Sequence, residues 1–352
     1  MRSGTWVVVR RLGPGTLPVN VTRGSLPVIT LIVALLWSLA MPARATTNTA
    51  DDLGPAAALA AATDPAIRVP PGTPEQKLPA LSAQEWFGLG VLIGAPIILI
   101  ILWFADVIRP GSFQRAGVRQ VQGHPWWVWA AAAGLIFLTG QFVGAIAYGS
   151  LGVPAIMSPP LKAQVIATAA SSLGGIAAGV ALIRMLRAGA PQAGVGLKWS
   201  DLWVGLVCML LAYPVILAGS SLAVKIAQLI TGSAPEMIAH DTLKQIAEGG
   251  NDPWAWGLRI SAVVLVPIYE ELTYRVGLQS AMLRLTGKPW AGILLASAVF
   301  TAMHYGVMPV HALVVIAILS ISIGVAYERT RRLGVPIVMH ALFNAANIIM
   351  VM

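Results

Sequence analysis

The stretch Val263-Val264-Leu265-Val266-Pro267-Ile268-Tyr269-Glu270-Glu271-Leu272-Thr273-Tyr274-Arg275 sets two carboxylates and a guanidinium inside an apolar run that continues to Arg284. A run of that length can span a bilayer, which takes about 20 residues of helix. A charged side chain at mid-bilayer costs about 2.5–3.5 kcal/mol on insertion scales. Two adjacent carboxylates there need partners, and such a pair reads as functional. Arg275 follows Glu271 by four residues, so the two share a helical face and can form an ion pair that locks the helix. Glu270 is turned about 100° away and is free to point into a cavity. The dipeptide thereby receives two environments, one structural and one chemical. On the dipeptide alone, a helix-packing role for both acids stays open.

Outward from this run the chain is of the same kind. It has 352 residues, 57% of them hydrophobic and only 11% charged, against roughly 25% charged in soluble domains. That excludes a soluble enzyme, a disordered protein and a disulfide scaffold. Its single cysteine, Cys208, lies in an apolar run and cannot form an intrachain disulfide. The class is all-α, a polytopic membrane bundle of about eight transmembrane helices, over roughly 87–107, 128–148, 163–183, 202–230, 254–283, 290–308, 310–327 and 333–352. The break at Met308-Pro309 makes the sixth and seventh a tight helical hairpin.

Ahead of these spans, Arg2, Arg10, Arg11 and Arg23 precede an apolar segment from Val28 to Ala40 and a small-x-small site, Ala43-Arg44-Ala45. Residues 1–45 read as a signal peptide or an uncleaved extra helix. Residues 46–84, rich in Ala and Pro, read as a disordered linker. Three N-terminal helices then occupy 85–200 and the remaining spans occupy 201–352.

The net charge of +9 does not point to nucleic acid, because the basic residues sit in short connections between apolar runs. With residue 87 starting outside, the inside connections hold Arg109, Arg115, Arg119, Arg184, Arg187, Lys198, Arg284, Lys288, Arg329, Arg331 and Arg332. The outside segments hold Arg68, Lys77, Lys162 and Lys244, as the positive-inside rule requires. The expected location is a bacterial inner membrane with the linker outside, and the lipid bilayer is the first partner.

Of five histidines, His124 and His240 fall in loops and read as surface residues, and His311 beside Pro309 reads as a cap or interfacial residue. His304 and His340 lie inside apolar spans, and Asn344 and Asn347 share a helical face with His340. A carboxylate with an imidazole can position and deprotonate a water, or hold a metal with open sites. A second histidine with an amide can donate to a developing oxyanion. No serine or cysteine stands in a recognisable nucleophile motif, and His-Glu-x-x-His is absent from the sequence. Water is therefore the economical nucleophile, and hydrolysis of an amide inside the membrane follows.

Glu270-Glu271-Leu-Thr-Tyr-Arg275 resembles the EExxxR motif of the CPBP intramembrane proteases, the family of type II CAAX prenyl endopeptidases and of bacteriocin-processing and immunity proteins. Phe300-x-x-x-His304, with Ser297 three residues earlier, and His340-x-x-x-Asn344 resemble its second and third motifs. The resemblance covers about residues 200 to 352. It implies that Glu270 and His304 activate the water, that His340 and Asn344 stabilise the oxyanion, and that Glu271 and Arg275 hold the architecture. Glu270, His304 and His340 could also bind zinc; no other cofactor is implied. The implied substrate is a membrane protein or lipidated peptide. Two alternatives stay open, a catalytically inactive scaffold or immunity protein of the same fold, and a proton-coupled transporter. Counted from the inside face at about 1.5 Å per residue, Glu270 and His304 lie about 20 Å deep but His340 only about 10 Å. A shared cavity requires helix tilt, or a final helix that starts before Leu333.

Overall fold

The computed structural model describes residues 82–153, 160–187, 189, 193–233 and 241–352. The expected signal segment, all but the last residues of the linker, and His240 lie outside them.

Proline punctuates the starts of the helices, because its fixed φ and missing N–H suit the first turn, where the backbone N–H has no partner anyway. α1 spans Ala83–Phe104. A four-residue turn, α2 (Ser112–Arg115), leads to α3 (Trp126–Gly149), which begins after Pro125. α4 (Leu161–Met185) begins after Pro160, and α5 (Ser200–Thr231) stops at Gly232, whose φ of 71° lies in the left-handed region open to glycine. A short amphipathic helix, α6 (Asp241–Glu248), precedes the segment that carries the acidic pair.

That segment is helical without interruption over 253–286 but is not uniform. Asp252 caps it, accepting a bond from the Trp254 backbone N–H at 2.7 Å, with Pro253 at the first position. α7 (Pro253–Ile260), α8 (Val266–Glu271) and α9 (Ser280–Thr286) are joined by π-helical segments at Ser261–Leu265 and Leu272–Gln279. Such i→i+5 turns widen a helix and concentrate at functional sites. Here they flank the residues before the acidic pair and begin immediately after it. α10 (Pro289–Ala302), α11 (Val310–Thr330) and α12 (Gly334–Val351) complete the chain.

Among the described residues there is no strand, and six helices are long and apolar enough to cross a membrane: α1, α3, α4, α5, α11 and α12. This is an all-α membrane helix bundle, and the chain is an integral membrane protein. Its outward faces carry large apolar side chains, such as Phe142 and Leu229 at 67% and 85% exposure, the reverse of a water-facing surface. The fifth expected span corresponds to the run 253–286. The sixth, expected over 290–308, is corrected: α10 ends at Ala302 after 14 residues, about 21 Å of helix against a hydrocarbon core of about 30 Å. The pattern changes at His304. Its backbone N–H turns to Thr301 O at 3.0 Å, an i→i−3 bond, and its ring Nδ1 takes the Phe300 carbonyl at 2.8 Å. The backbone leaves the i→i−4 ladder at this residue, and the imidazole takes the carbonyl that the ladder would have used. His304 therefore sits on the turn between α10 and α11 rather than within a span.

Residues Gly88–Met352 form one compact unit. α3 and α4 pack through small residues, which let backbones approach closely where lipid supplies no hydrophobic drive. The 253–286 run lies against both. A Cβ at Gly277 would stand 2.9 Å from Ala133 Cα and 3.1 Å from its N, and one at Gly175 would stand 2.2 Å from the Tyr269 ring. On the other side, α5, α10, α11 and α12 enclose a core of Ile216, Tyr274, Phe300, Leu319, Met339 and Phe343. The backbone contact at Gly277 leaves nothing flexible to give way. Gly277→Ala is expected to cost about 1–3 kcal/mol, the usual range for overpacking, read as a lower Tm in detergent. Gly134→Ala on α3, with nothing within 4 Å of the added methyl, is the matched control; equal Tm values for the two variants would refute the close approach.

Candidate active site

Glu271 is fully buried, and two groups from different elements converge on its carboxylate. Arg275 Nε donates to Oε2 at 2.9 Å, the i,i+4 pair read from the sequence. His340 Nδ1, reaching over from α12, lies 2.8 Å from Oε1. An ionised carboxylate can only accept, so His340 carries its proton on Nδ1 and presents Nε2 to the cavity. The Arg275 guanidinium, also fully buried, continues to Ser320 Oγ on α11 at 2.9 Å and to Gln279 Oε1 at 3.3 Å.

Glu270 faces the other way. Its Oε2 stands 3.6 Å from His340 Nε2, beyond a direct hydrogen bond, and its side chain lines a cavity of about 490 Å³. His304, His340 and Asn344 line the same cavity, with Asn347 and His311. His304 Nδ1 donates to the Phe300 carbonyl, so its Nε2 is the ring atom left for other partners. Asn344 is anchored from Nδ2 to the carbonyl of Ala262 at 2.8 Å, in the first π-helical segment, and its second amide hydrogen remains. The Phe300 ring packs against both imidazoles, with centroids 4.7 Å from His304 and 5.9 Å from His340. Two helices and one turn thus bring Glu270, His304, His340 and Asn344 around one space.

The final helix does not start early, since α12 begins at Gly334, yet His340 lines the same cavity as Glu270 and His304. π-helical turns hold more residues per turn and advance less per residue, so a count at α-helical rise overstates how far Glu270 lies from the inner end. His311, expected as a cap or interfacial residue, lines the cavity.

The sequence reading missed a polar chain behind the site. Gln279 Nε2 donates to Glu328 Oε1 at 2.9 Å, and Arg119 grips the same carboxylate with Nη2 at 2.7 Å and Nε at 3.1 Å. All three are buried. Arg119 read as one charge among many in the inside connections, and spacing carries no signal for its burial or for that of Glu328.

Zinc was a possible occupant of Glu270, His304 and His340. Among the described residues no three His, Cys, Asp or Glu side chains are grouped to hold a metal ion, while the engaged Nδ1 of each histidine leaves Nε2, the atom a ligating imidazole can offer.

A membrane helix bundle with ionisable side chains gathered around a cavity is an arrangement that intramembrane enzymes share with proton-coupled transporters. Residues 252–346 match the family model of the type II CAAX prenyl endopeptidases, Rce1-like; this segment is similar to that family, and the match supports an intramembrane protease of CAAX type. No curated protein and no solved structure matches the chain.

Proposed function

We propose that the chain is an intramembrane endopeptidase in which Glu270 and His304 activate a water, and His340 and Asn344 hold the developing oxyanion. The observation that carries this reading is that all four side chains, each within the segment matched to the protease family, line one cavity. The water oxygen attacks the carbonyl carbon of a peptide bond while its proton passes to the Glu270 carboxylate. His304 Nε2, a bare acceptor when Nδ1 serves the Phe300 carbonyl, orients the second water hydrogen. The oxyanion takes the free Asn344 amide hydrogen and, when His340 is doubly protonated, its Nε2–H. When the C–N bond breaks, the leaving nitrogen recovers the proton from Glu270. Glu271 and Arg275 keep His340 in place and touch no reacting atom. Most of the other lining side chains are apolar, Ile216, Leu319 and Phe343 among them, which suits a membrane-protein or lipidated-peptide substrate in a bacterial inner membrane.

The test compares membrane-protein termini, by mass spectrometry, between cells carrying wild type and Glu270→Ala at equal protein level. Termini that vanish in a folded variant are the expected result, and they name the substrate. Identical termini would sink the endopeptidase reading in favour of a scaffold of the same fold.

A further inference from the structure

Arg119 lies on the connection between α2 and α3, outside the segment matched to the protease family, yet it is 3% exposed. Its guanidinium is fully committed. Nε and Nη2 fork onto Glu328, Nη1 donates to Ser280 Oγ at 2.9 Å and to the Ala193 carbonyl at 3.2 Å, and the plane stacks on the Tyr327 ring with its carbon 4.6 Å from the centroid. Burying such a pair contributes little net stability, since desolvation offsets most of the attraction. What it can supply is orientation.

Two routes lead from this pair to Arg275. Along the first, the Glu328 carboxylate accepts only and the Arg275 guanidinium donates only, so the amide of Gln279 between them has a single workable orientation. Its NH₂ faces Glu328 Oε1 at 2.9 Å and the Gly324 carbonyl at 3.1 Å, which turns its oxygen to Arg275 Nη1. Along the second, Ser280 Oγ, held by Arg119, donates to the Arg275 backbone carbonyl at 3.2 Å. That carbonyl lies in the second π-helical segment, where the regular ladder is disturbed. Both the side chain and the backbone of Arg275 are therefore referred to one ion pair, and Arg275 in turn orients Glu271 and His340.

Resting on the endopeptidase reading above, we propose that Arg119 and Glu328 are positioning residues of the active site: through Gln279 and Ser280 their ion pair aligns Arg275, and thereby Glu271 and His340. The site is then incomplete without the N-terminal part of the chain, which supplies Arg119.

Two double variants in nanodiscs test this. Arg119→Met with Glu328→Met removes both charges together and leaves none unpaired. Arg119→Glu with Glu328→Arg keeps an ion pair but presents a donor, instead of an acceptor, to the Gln279 amide. With an internally quenched prenylated CAAX peptide as probe, both are expected to hold Tm while kcat falls about 10- to 100-fold, the cost typical of lost outer partners, with KM little changed. A pair that serves only the fold would be rescued by the swap. Full kcat in the swapped variant, or a loss confined to KM, would overturn the proposal. A second readout needs no cleavage. In protein labelled with ¹⁵N-histidine, the hydrogen-bonded Nδ1–H signal of His340, assigned with His340→Gln, is expected to shift or broaden in both variants while that of His304 stays. An unmoved His340 signal refutes the positioning role. If the wild type fails to cleave the probe, the prenylated-peptide substrate is in question and the ¹⁵N result decides the positioning alone.

Discussion

Glu270→Gln is expected to lower the rate of peptide hydrolysis by about 10²–10⁴-fold, the range for a lost general base, with almost no change in Tm. The amide has nearly the shape of the carboxylate but cannot take the water's proton. Stability should hold because Glu270 has little to lose: its nearest ionisable partner, His340 Nε2, is 3.6 Å away, and its side chain lines the cavity. Its neighbour gives the contrast. Glu271 is fully buried and accepts from both Arg275 and His340, so Glu271→Gln should lower Tm as well as activity. The pair of measurements is kcat on the substrate named by the terminal comparison and Tm in the same detergent. A Glu270→Gln protein that still turns over within a few-fold of wild type would remove this carboxylate from the chemistry.

The contrast between adjacent acids also shows what a sequence can carry in a membrane. Polar side chains inside apolar runs are costly enough to stand out, so Glu270, Glu271, Arg275, His340 and Asn344 are visible from position alone, and the i,i+4 spacing of Glu271 and Arg275 is met by a 2.9 Å contact. The long apolar runs likewise give the all-α bundle. Three things were hidden for physical reasons. The break after Ala302, where the His304 backbone turns to Thr301 and its imidazole takes the Phe300 carbonyl, leaves no trace in hydropathy. The π-helical segments change the advance per residue, and with it any estimate of depth. Arg119 and Glu328 sit where charges normally meet water, and only the folding of the α2–α3 connection against α11 and the 253–286 run buries them. Gln279 and Ser320, being neutral, had no cost to advertise.

Arg275→Met is expected to be the most destabilising single change in the site, at about 3–5 kcal/mol, the cost of leaving a buried charge without its partner. Methionine fills much of the volume, so the loss is electrostatic rather than a cavity. Three bonds vanish at once, to Glu271, Gln279 and Ser320, and the Glu271 carboxylate keeps only His340. The size of the effect depends on the stranded charge, which gives a sharp check. Arg275→Met combined with Glu271→Gln removes the charge as well, and replacing both members of a buried pair is often close to neutral. The double variant should therefore recover most of the lost stability, measured by chemical unfolding in micelles. Activity should not return with it, because a glutamine at 271 no longer offers His340 Nδ1–H a charged acceptor. Recovery of both would mean that the pair serves only the fold; recovery of neither would mean that the guanidinium matters through packing on the Phe300 ring, 5.9 Å away, rather than through Glu271.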